Sequence, residues 1–250
     1  MTLPAAFLAR PISHRALHDR AQGRPENSRA AIRAAIAQDY GIEIDLQPSA
    51  DGVAMVFHDD TLDRLTGRQG RVSDFTAEAL GGIALSGGDE GIPTLTEVLE
   101  IVAGRVPLLI EIKDQDGAMG PDVGVLEQAT ATALQGYDGP VALMSFNPHA
   151  VAEMARLAPD LPRGLTTCGY DADDWPELSA ETRADLRAIA DFDRVGASFI
   201  SHQITDLGAA PVAELRARGV PVLCWTVRTP AEEAEARKLA GNITFEQYLA

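Results

Sequence analysis

Eight short runs rich in β-branched and apolar residues recur along the chain, and most gaps between them are Ala-rich stretches of helical period. The runs fall at 11–14, 41–47, 107–113, 141–145, 163–167, 197–202, 221–227 and 242–245. Strands separated by helices cannot pair through tight turns. Each connection crosses over instead, so the strands run parallel and the helices cover the sheet. The units do not separate into two groups and no Ser/Gly/Pro-rich linker divides them, which favours an α/β fold of the single closed (β/α)8 type, a TIM barrel, over an open eight-stranded sheet. With 250 residues, 46% of them apolar, one domain over residues 1–250 is the expected organisation, and disorder is excluded.

Between the first two runs, residues 27–38 place Ala30, Ala34 and Ala37 with Ile32 and Ile36 at helical spacing, behind Asn27 or Ser28 as N-cap. Thr94 and Glu97 have the spacing of a capping box at the head of another helix. Further helices are expected at 122–135, 148–157, 180–190, 209–218 and 230–240. One stretch breaks the rhythm. Asp51-Gly52 signals a tight turn between two extended segments, adding a strand that ends at His58, and the polar, Gly-rich stretch 64–91 carries a short helix at 74–80. Residues 48–92 therefore read as a small insertion after strand two, on the rim where barrel active sites lie.

The balance of 21 Lys and Arg against 37 Asp and Glu gives a net charge of −16, which excludes nucleic-acid binding by bulk charge and opposes stable docking on anionic lipid. Cys168 and Cys224 have no disulfide or metal-site spacing and read as buried thiols. There is no basic segment leading into a long apolar run, so neither a signal peptide nor a membrane span is expected, and the expected address is the cytoplasm. The acidic stretch 171–174 and the charged run 232–238 read as solvated surface.

Polar residues collect at the ends of the predicted strands. Glu43 and Asp45 are two apart in one strand, so both carboxylates point to the same side with Cα atoms about 6.6 Å apart, while Ile42, Ile44 and Leu46 face the helices. Glu111 adds a third carboxylate on the next barrel strand, with Lys113 on the same face. Charges buried side by side must be neutralised. Two arrangements do this: a hard divalent cation, Mg²⁺ or Ca²⁺, held through oxygen, or an ion-pair network with Lys113 and Arg15. His14 ends the first strand and His58 the added one, and two imidazoles can divide general acid and base work near neutral pH. Arg15 and Lys113 can meet phosphate charge. His202 also stands at a strand end, Trp225 lies near the end of the seventh strand, and the eighth runs into Glu246.

His14-Arg15, Arg24-Pro25-Glu26-Asn27-Ser28, Glu43-Ile44-Asp45, Asp51-Gly52, His58-Asp59 and Glu111-Ile112-Lys113, in this order and spacing, resemble the glycerophosphodiester phosphodiesterases nearly end to end. Trp225-Thr226-Val227 and the run from Asn242 to Glu246 fit the family's last two strands. The resemblance implies hydrolysis of a small glycerophosphodiester to glycerol 3-phosphate and an alcohol, assisted by one divalent cation and passing through a cyclic phosphate. It implies Glu43, Asp45 and Glu111 as metal ligands, His14 and His58 as the acid–base pair, and Arg15 and Lys113 as phosphate contacts. Glu26 and Asn27 take supporting roles beside the metal and His14, with Trp225 and Glu246 supporting from the last strands. A monomer or homodimer is expected. Ala16 stands where the family has Gly, and His18 reads as a loop residue. Only four residues follow Glu246, too few for an eighth helix, so closure of the barrel by the N-terminal segment or a partner subunit is expected. The alternatives are a lysophospholipase D type enzyme, with a mouth lined by Phe75, Leu80, Leu85 and Phe146, and a catalytically silent phosphate-binding barrel.

Overall fold

The computed structural model describes residues 2–250. Its helices are α1 (Ala6–Ala9), α2 (Arg29–Ala37), α3 (Ala77–Gly81), α4 (Leu95–Val102), α5 (Val125–Ala133), α6 (Pro148–Leu157), α7 (Ala180–Arg187), α8 (Ala210–Ala217) and α9 (Pro230–Ala236). Its strands are β1 (Ile12–Ser13), β2 (Gly41–Pro48), β3 (Ala54–Val56), β4 (Leu108–Ile112), β5 (Val141–Ser145), β6 (Arg163–Thr167), β7 (Phe199–Gln203), β8 (Val222–Val227) and β9 (Asn242–Phe245).

The sheet closes through β1, where Ile12 is in parallel register with Gly41 of β2 on one side and Thr244 of β9 on the other. Closure makes this a (β/α)8 barrel and removes the open sheet. β1 is only two residues long, so it pairs with the start of β2 and leaves the far end of β2 free. β3 takes that free edge in antiparallel register, Leu46 opposite Val56. The added strand thus ends at Val56, short of His58. The Phe57 N–H still bonds the Asp45 carbonyl at 2.9 Å, and the chain leaves the sheet just before the histidine.

Ile42, Ile44 and Leu46 pack outward with Leu108, Ile110 and Ile112 against α2 and α4. α2 is capped by Ser28 Oγ, which accepts from the Ala31 N–H, and α4 begins in the expected Thr94/Glu97 capping box. Inside the barrel the lower level is apolar: Ile12, Leu109, Ala142, Phe199 and Leu223 surround Phe7 of α1. The four-residue α1 has no counterpart among the predicted helices, yet it plugs the barrel floor, as expected of the N-terminal segment. Asn242 Nδ2 fastens it by donating to the carbonyls of Phe7 (2.7 Å) and Arg10 (2.6 Å). Residues 247–250 form no helix, and the Tyr40 hydroxyl donates to the Ala250 carbonyl at 2.6 Å.

The insertion has its own core, built on Met55, Phe57, Leu62, Leu80, Leu85 and Ile92. Phe75 packs on this cluster, and Leu80 and Leu85 are buried within it, so three of the four side chains expected at an apolar mouth are consumed by the insertion. Cys168 and Cys224 are buried, and burial pushes their thiols up to about 11 and about 12. His202 shares its Nδ1 with Thr167 Oγ1 at 2.7 Å and lies in the wall of the barrel away from its cavity. Among the described residues, no helix is long and apolar enough to cross a membrane.

Candidate active site

Above the apolar floor, a cavity of about 160 Å³ opens at the C-terminal ends of the strands, with His14, Glu43, Asp45, His58, Glu111 and Lys113 in its walls. Period-two alternation on β2 turns Glu43 and Asp45 inward together. The β2–β4 register sets Glu111 opposite Asp45. All three carboxylates are buried, and one oxygen from each lies within 4.8 Å of the others. Burial and then the neighbouring Asp45 and Glu111 charges push the Glu43 carboxyl well above its ordinary value. Burial would raise Asp45 too, but Lys113, His58 and Arg15 outweigh it and hold that group well below the usual carboxylate range.

Lys113 Nζ lies 2.6 Å from Asp45 Oδ1 and also pairs with Glu111, so part of the ion-pair network expected from the sequence is present. It does not reach all three carboxylates. Among the described residues, the Glu43 side chain has only the backbone N–H of Arg15, at 2.8 Å, as hydrogen-bond partner. Three buried carboxylates meet only two fixed cations, Arg15 and Lys113, an imbalance that adds to burial in pushing the Glu43 carboxyl up, and the all-oxygen donor set fits one hard divalent cation in place of its proton.

The backbone of the β1–α2 loop is shaped to serve this cluster. Arg15 and Ala16 both have positive φ, 52° and 63°, which aims the Arg15 N–H at Glu43 and lets the Ala16 N–H bond the Glu43 carbonyl. Asn27, also left-handed, donates from Nδ2 to Asp45 Oδ2 at 2.9 Å, and its Oδ1 accepts from the Asp45 N–H at 3.3 Å. Asn27 therefore holds a carboxylate of the cluster directly. Glu26 reaches the cluster only through Arg15, whose Nη1 donates to it at 2.8 Å while Nε stands 3.7 Å from Asp45 Oδ2.

Each histidine is held by a carboxylate. Since an ionised carboxylate only accepts, Nδ1 of each ring carries the proton and Nε2 is left for chemistry. His58 Nδ1 donates to Asp59 Oδ1 at 2.6 Å. Asp59 is in turn bridged by Arg64, through Nε (2.7 Å) and Nη2 (2.8 Å), and Arg64 Nη1 continues to Glu26 at 2.9 Å. A chain of charges thus runs from His58 on the insertion through Asp59, Arg64, Glu26 and Arg15 to Asp45 on the barrel.

On the other side, His14 Nδ1 donates to Glu246 Oε2 at 2.7 Å, and Arg228 Nε donates to Glu246 Oε1 at 2.8 Å. His18 Nε2 stands 3.5 Å from the same Oε2. Burial favours a high value for the Glu246 carboxyl, but His14, His18 and Arg228 overcome it and hold the group below the usual range. Burial pulls the His14 imidazole below its ordinary value, against the upward pull of Glu246. Trp225 lines the cavity with its indole N–H given to the Ser201 carbonyl at 2.9 Å, and Phe146 stands against it, ring centres 5.6 Å apart. Arg64 and Arg228 are absent from the residues singled out in the sequence. Each lies in a polar loop with no motif of its own, and its role depends on where a distant acid is placed.

Carboxylate-held imidazoles beside a three-carboxylate cluster and two fixed cations are suited to phosphoryl chemistry in a barrel enzyme. The comparison with known proteins gives that class a family. The chain matches the model of the Glycerophosphoryl diester phosphodiesterase family over residues 14–242 and belongs to that family, a family of phosphoric diester hydrolases. It is 28% identical to YhdW of Bacillus subtilis (strain 168) over 233 residues, 88% of each protein. It is 26% identical to glycerophosphodiester phosphodiesterase 1 of Homo sapiens over 249 residues, 89% of this chain and 73% of that one. A solved phosphodiesterase of Oleispira antarctica, in complex with its product sn-glycerol-3-phosphate, shares the fold with a TM-score of 0.78 at 24% identity, covering 97% of this chain and 94% of that chain.

Proposed function

We propose that residues 1–250 act as one catalytic domain that hydrolyses small glycerophosphodiesters to glycerol 3-phosphate and an alcohol. The observation that carries this reading is the meeting, in one cavity, of a three-carboxylate cluster and two histidines whose Nδ1 atoms are each held by a carboxylate. Glu43, Asp45 and Glu111 would hold one Mg²⁺ or Ca²⁺, which when bound supplies charge to the phosphate and acidity to a hydroxyl near it. Arg15 and Lys113 meet the non-bridging oxygens of the phosphate.

His14 is kept neutral by burial and presents its Nε2 lone pair, so it takes the proton of the glycerol 2-hydroxyl as that oxygen attacks phosphorus. His58, oriented by Asp59, gives a proton to the departing alcohol. The resulting cyclic phosphate is opened by water, with each imidazole performing the reverse transfer. Glu246, Asn27, Glu26 and Trp225 position these groups. The packing of Phe75 against the core of the insertion and the burial of Leu80 and Leu85 within it favour a deacylated substrate over a lipid, and the acidic composition with a small soluble substrate accords with a cytoplasmic setting.

The test is release of glycerol 3-phosphate from glycerophosphocholine and glycerophosphoethanolamine by the purified protein. Turnover of either supports the reading. Turnover of lysophosphatidylcholine alone would replace it with the lysophospholipase D type activity, and no turnover with bound phosphate would leave a silent binder.

A further inference from the structure

Three hydroxyls in the wall of the active-site cavity meet no protein partner among the described residues: Thr166 Oγ1 on β6, Ser201 Oγ on β7 and Thr244 Oγ1 on β9. Their residues are 2%, 0% and 1% exposed. Strand alternation sets their direction. Ser201 lies two residues beyond Phe199 of the apolar floor, and Thr244 two beyond Asn242, which fastens α1 into that floor. Thr166 lies two beyond Gly164, where a Cβ would stand 2.6 Å from the Phe199 ring, and it is in register with Ser201. Each residue therefore occupies the first inward position above the floor, in the wall of the cavity.

Three other buried hydroxyls of the barrel strands are satisfied. Ser13 donates to the Gly41 carbonyl at 2.9 Å, Ser145 to the Ile112 carbonyl at 2.6 Å, and Thr167 shares a proton with His202. An unpartnered buried hydroxyl is costly and rare in native structures, and valine or alanine would occupy the same positions without that cost. Three on one wall point to a polar guest. The charged groups Glu43, Asp45, Glu111, Lys113, Arg15 and His14 come from β1, β2 and β4 and the residues that follow them, while the wall formed by β6, β7 and β9 carries the hydroxyls, with Arg228 after β8 as the charged residue on that side, held by Glu246. A hydroxyl both donates and accepts, which matches an alcohol better than an anion. The cavity, of about 160 Å³, has room for a three-carbon polyol.

We infer that Thr166, Ser201 and Thr244 are the residues that recognise the glycerol hydroxyls of the substrate. This rests on the glycerophosphodiester reading above for its ligand. The experiment is calorimetric binding of sn-glycerol 3-phosphate and of propyl phosphate, which has the same carbon skeleton without hydroxyls, to the divalent-cation-loaded protein. The proteins compared are wild type, Ser201→Ala, Thr166→Val, Thr244→Val and the triple variant. Each lost hydroxyl is expected to weaken glycerol 3-phosphate about five- to tenfold and to leave propyl phosphate within about twofold. Thr166→Ser and Thr244→Ser, which keep the hydroxyl, should keep wild-type preference and so separate recognition from packing.

Equal weakening of both ligands would assign the hydroxyls to the phosphate and overturn the inference. A preference for glycerol 3-phosphate that survives in the triple variant would also overturn it, leaving the hydroxyls to ordered water. The hydrolytic reading fails separately, if wild type discriminates the two phosphates through these hydroxyls and yet hydrolyses no glycerophosphodiester.

Discussion

Glu246 accepts the Nδ1 proton of His14 at 2.7 Å, joining the end of the last barrel strand to the end of the first and fixing which nitrogen of the imidazole faces the cavity. The pair opposes burial. Burial pulls His14 below its ordinary value of 6.5, Glu246 pulls it back up, and burial wins. A histidine with a depressed folded value stays neutral while the unfolded chain takes up a proton, so this group costs stability as pH falls through 6.5. The base form of His14 correspondingly survives below pH 6.5. The acid limb of kcat/KM due to His14 is expected below that pH, and Glu246→Gln, which removes the upward pull, should move it lower while reducing kcat about 10- to 100-fold. A pH–rate profile of the two proteins checks both shifts, and an acid limb that moved upward would contradict the pairing.

His14→Ala and His58→Ala should each lower kcat by about two to four orders of magnitude with the fold retained. Activity measured beside thermal melting separates the two effects. Near-normal turnover in either variant would remove that histidine from the mechanism.

Arg64 links the insertion to the barrel by bonding both Asp59 and Glu26. Its side chain is 48% exposed, so solvent screens the ion pairs and their loss should change stability by less than about 1 kcal/mol. Arg64→Ala should nevertheless lower kcat/KM several-fold, because Asp59 then holds His58 without its own anchor. A large drop in melting temperature with unchanged activity would make the residue a structural brace only.

Phe7 is fully buried in the barrel floor on a four-residue helix. Phe7→Ala should cost about 3–5 kcal/mol in stability, the range for truncating a core aromatic, as read by urea denaturation. A loss below about 1 kcal/mol would show that the barrel floor closes without α1.

Local pattern carried most of the fold. The bounds of β5, β6, β9 and α6 coincide with the predicted segments because each is a short run with one period and clear flanking residues. α1 was not legible, since four residues hold barely one helical turn and its purpose, filling a barrel floor, exists only once the other strands are closed. The inward pairing of Glu43 with Asp45 follows from the period of a strand and was readable before folding. The Arg64 bridge, the Arg228 contact to Glu246 and the three unpartnered hydroxyls depend on which loops and strands become neighbours, which no local pattern encodes. Ala16 lies between these cases. Its departure from the family glycine was visible, and the structure shows why it is tolerated: the residue takes the left-handed conformation at φ 63°, and its buried methyl packs in the core beside α2, offsetting part of the backbone cost.

The central claim is that Glu43, Asp45 and Glu111 form a cation site on which hydrolysis depends. The most direct measurement strips the protein with chelator, adds Mg²⁺ or Ca²⁺ back separately, and follows glycerol 3-phosphate release together with bound-cation stoichiometry, in wild type and in Glu43→Gln. The expected result is no turnover without cation, restoration in wild type at one cation per chain, and weakened cation binding in the variant. Full turnover after stripping, or unchanged stoichiometry and affinity in Glu43→Gln, would contradict the assignment and leave the carboxylates as an ion-pair network with Lys113 and Arg15.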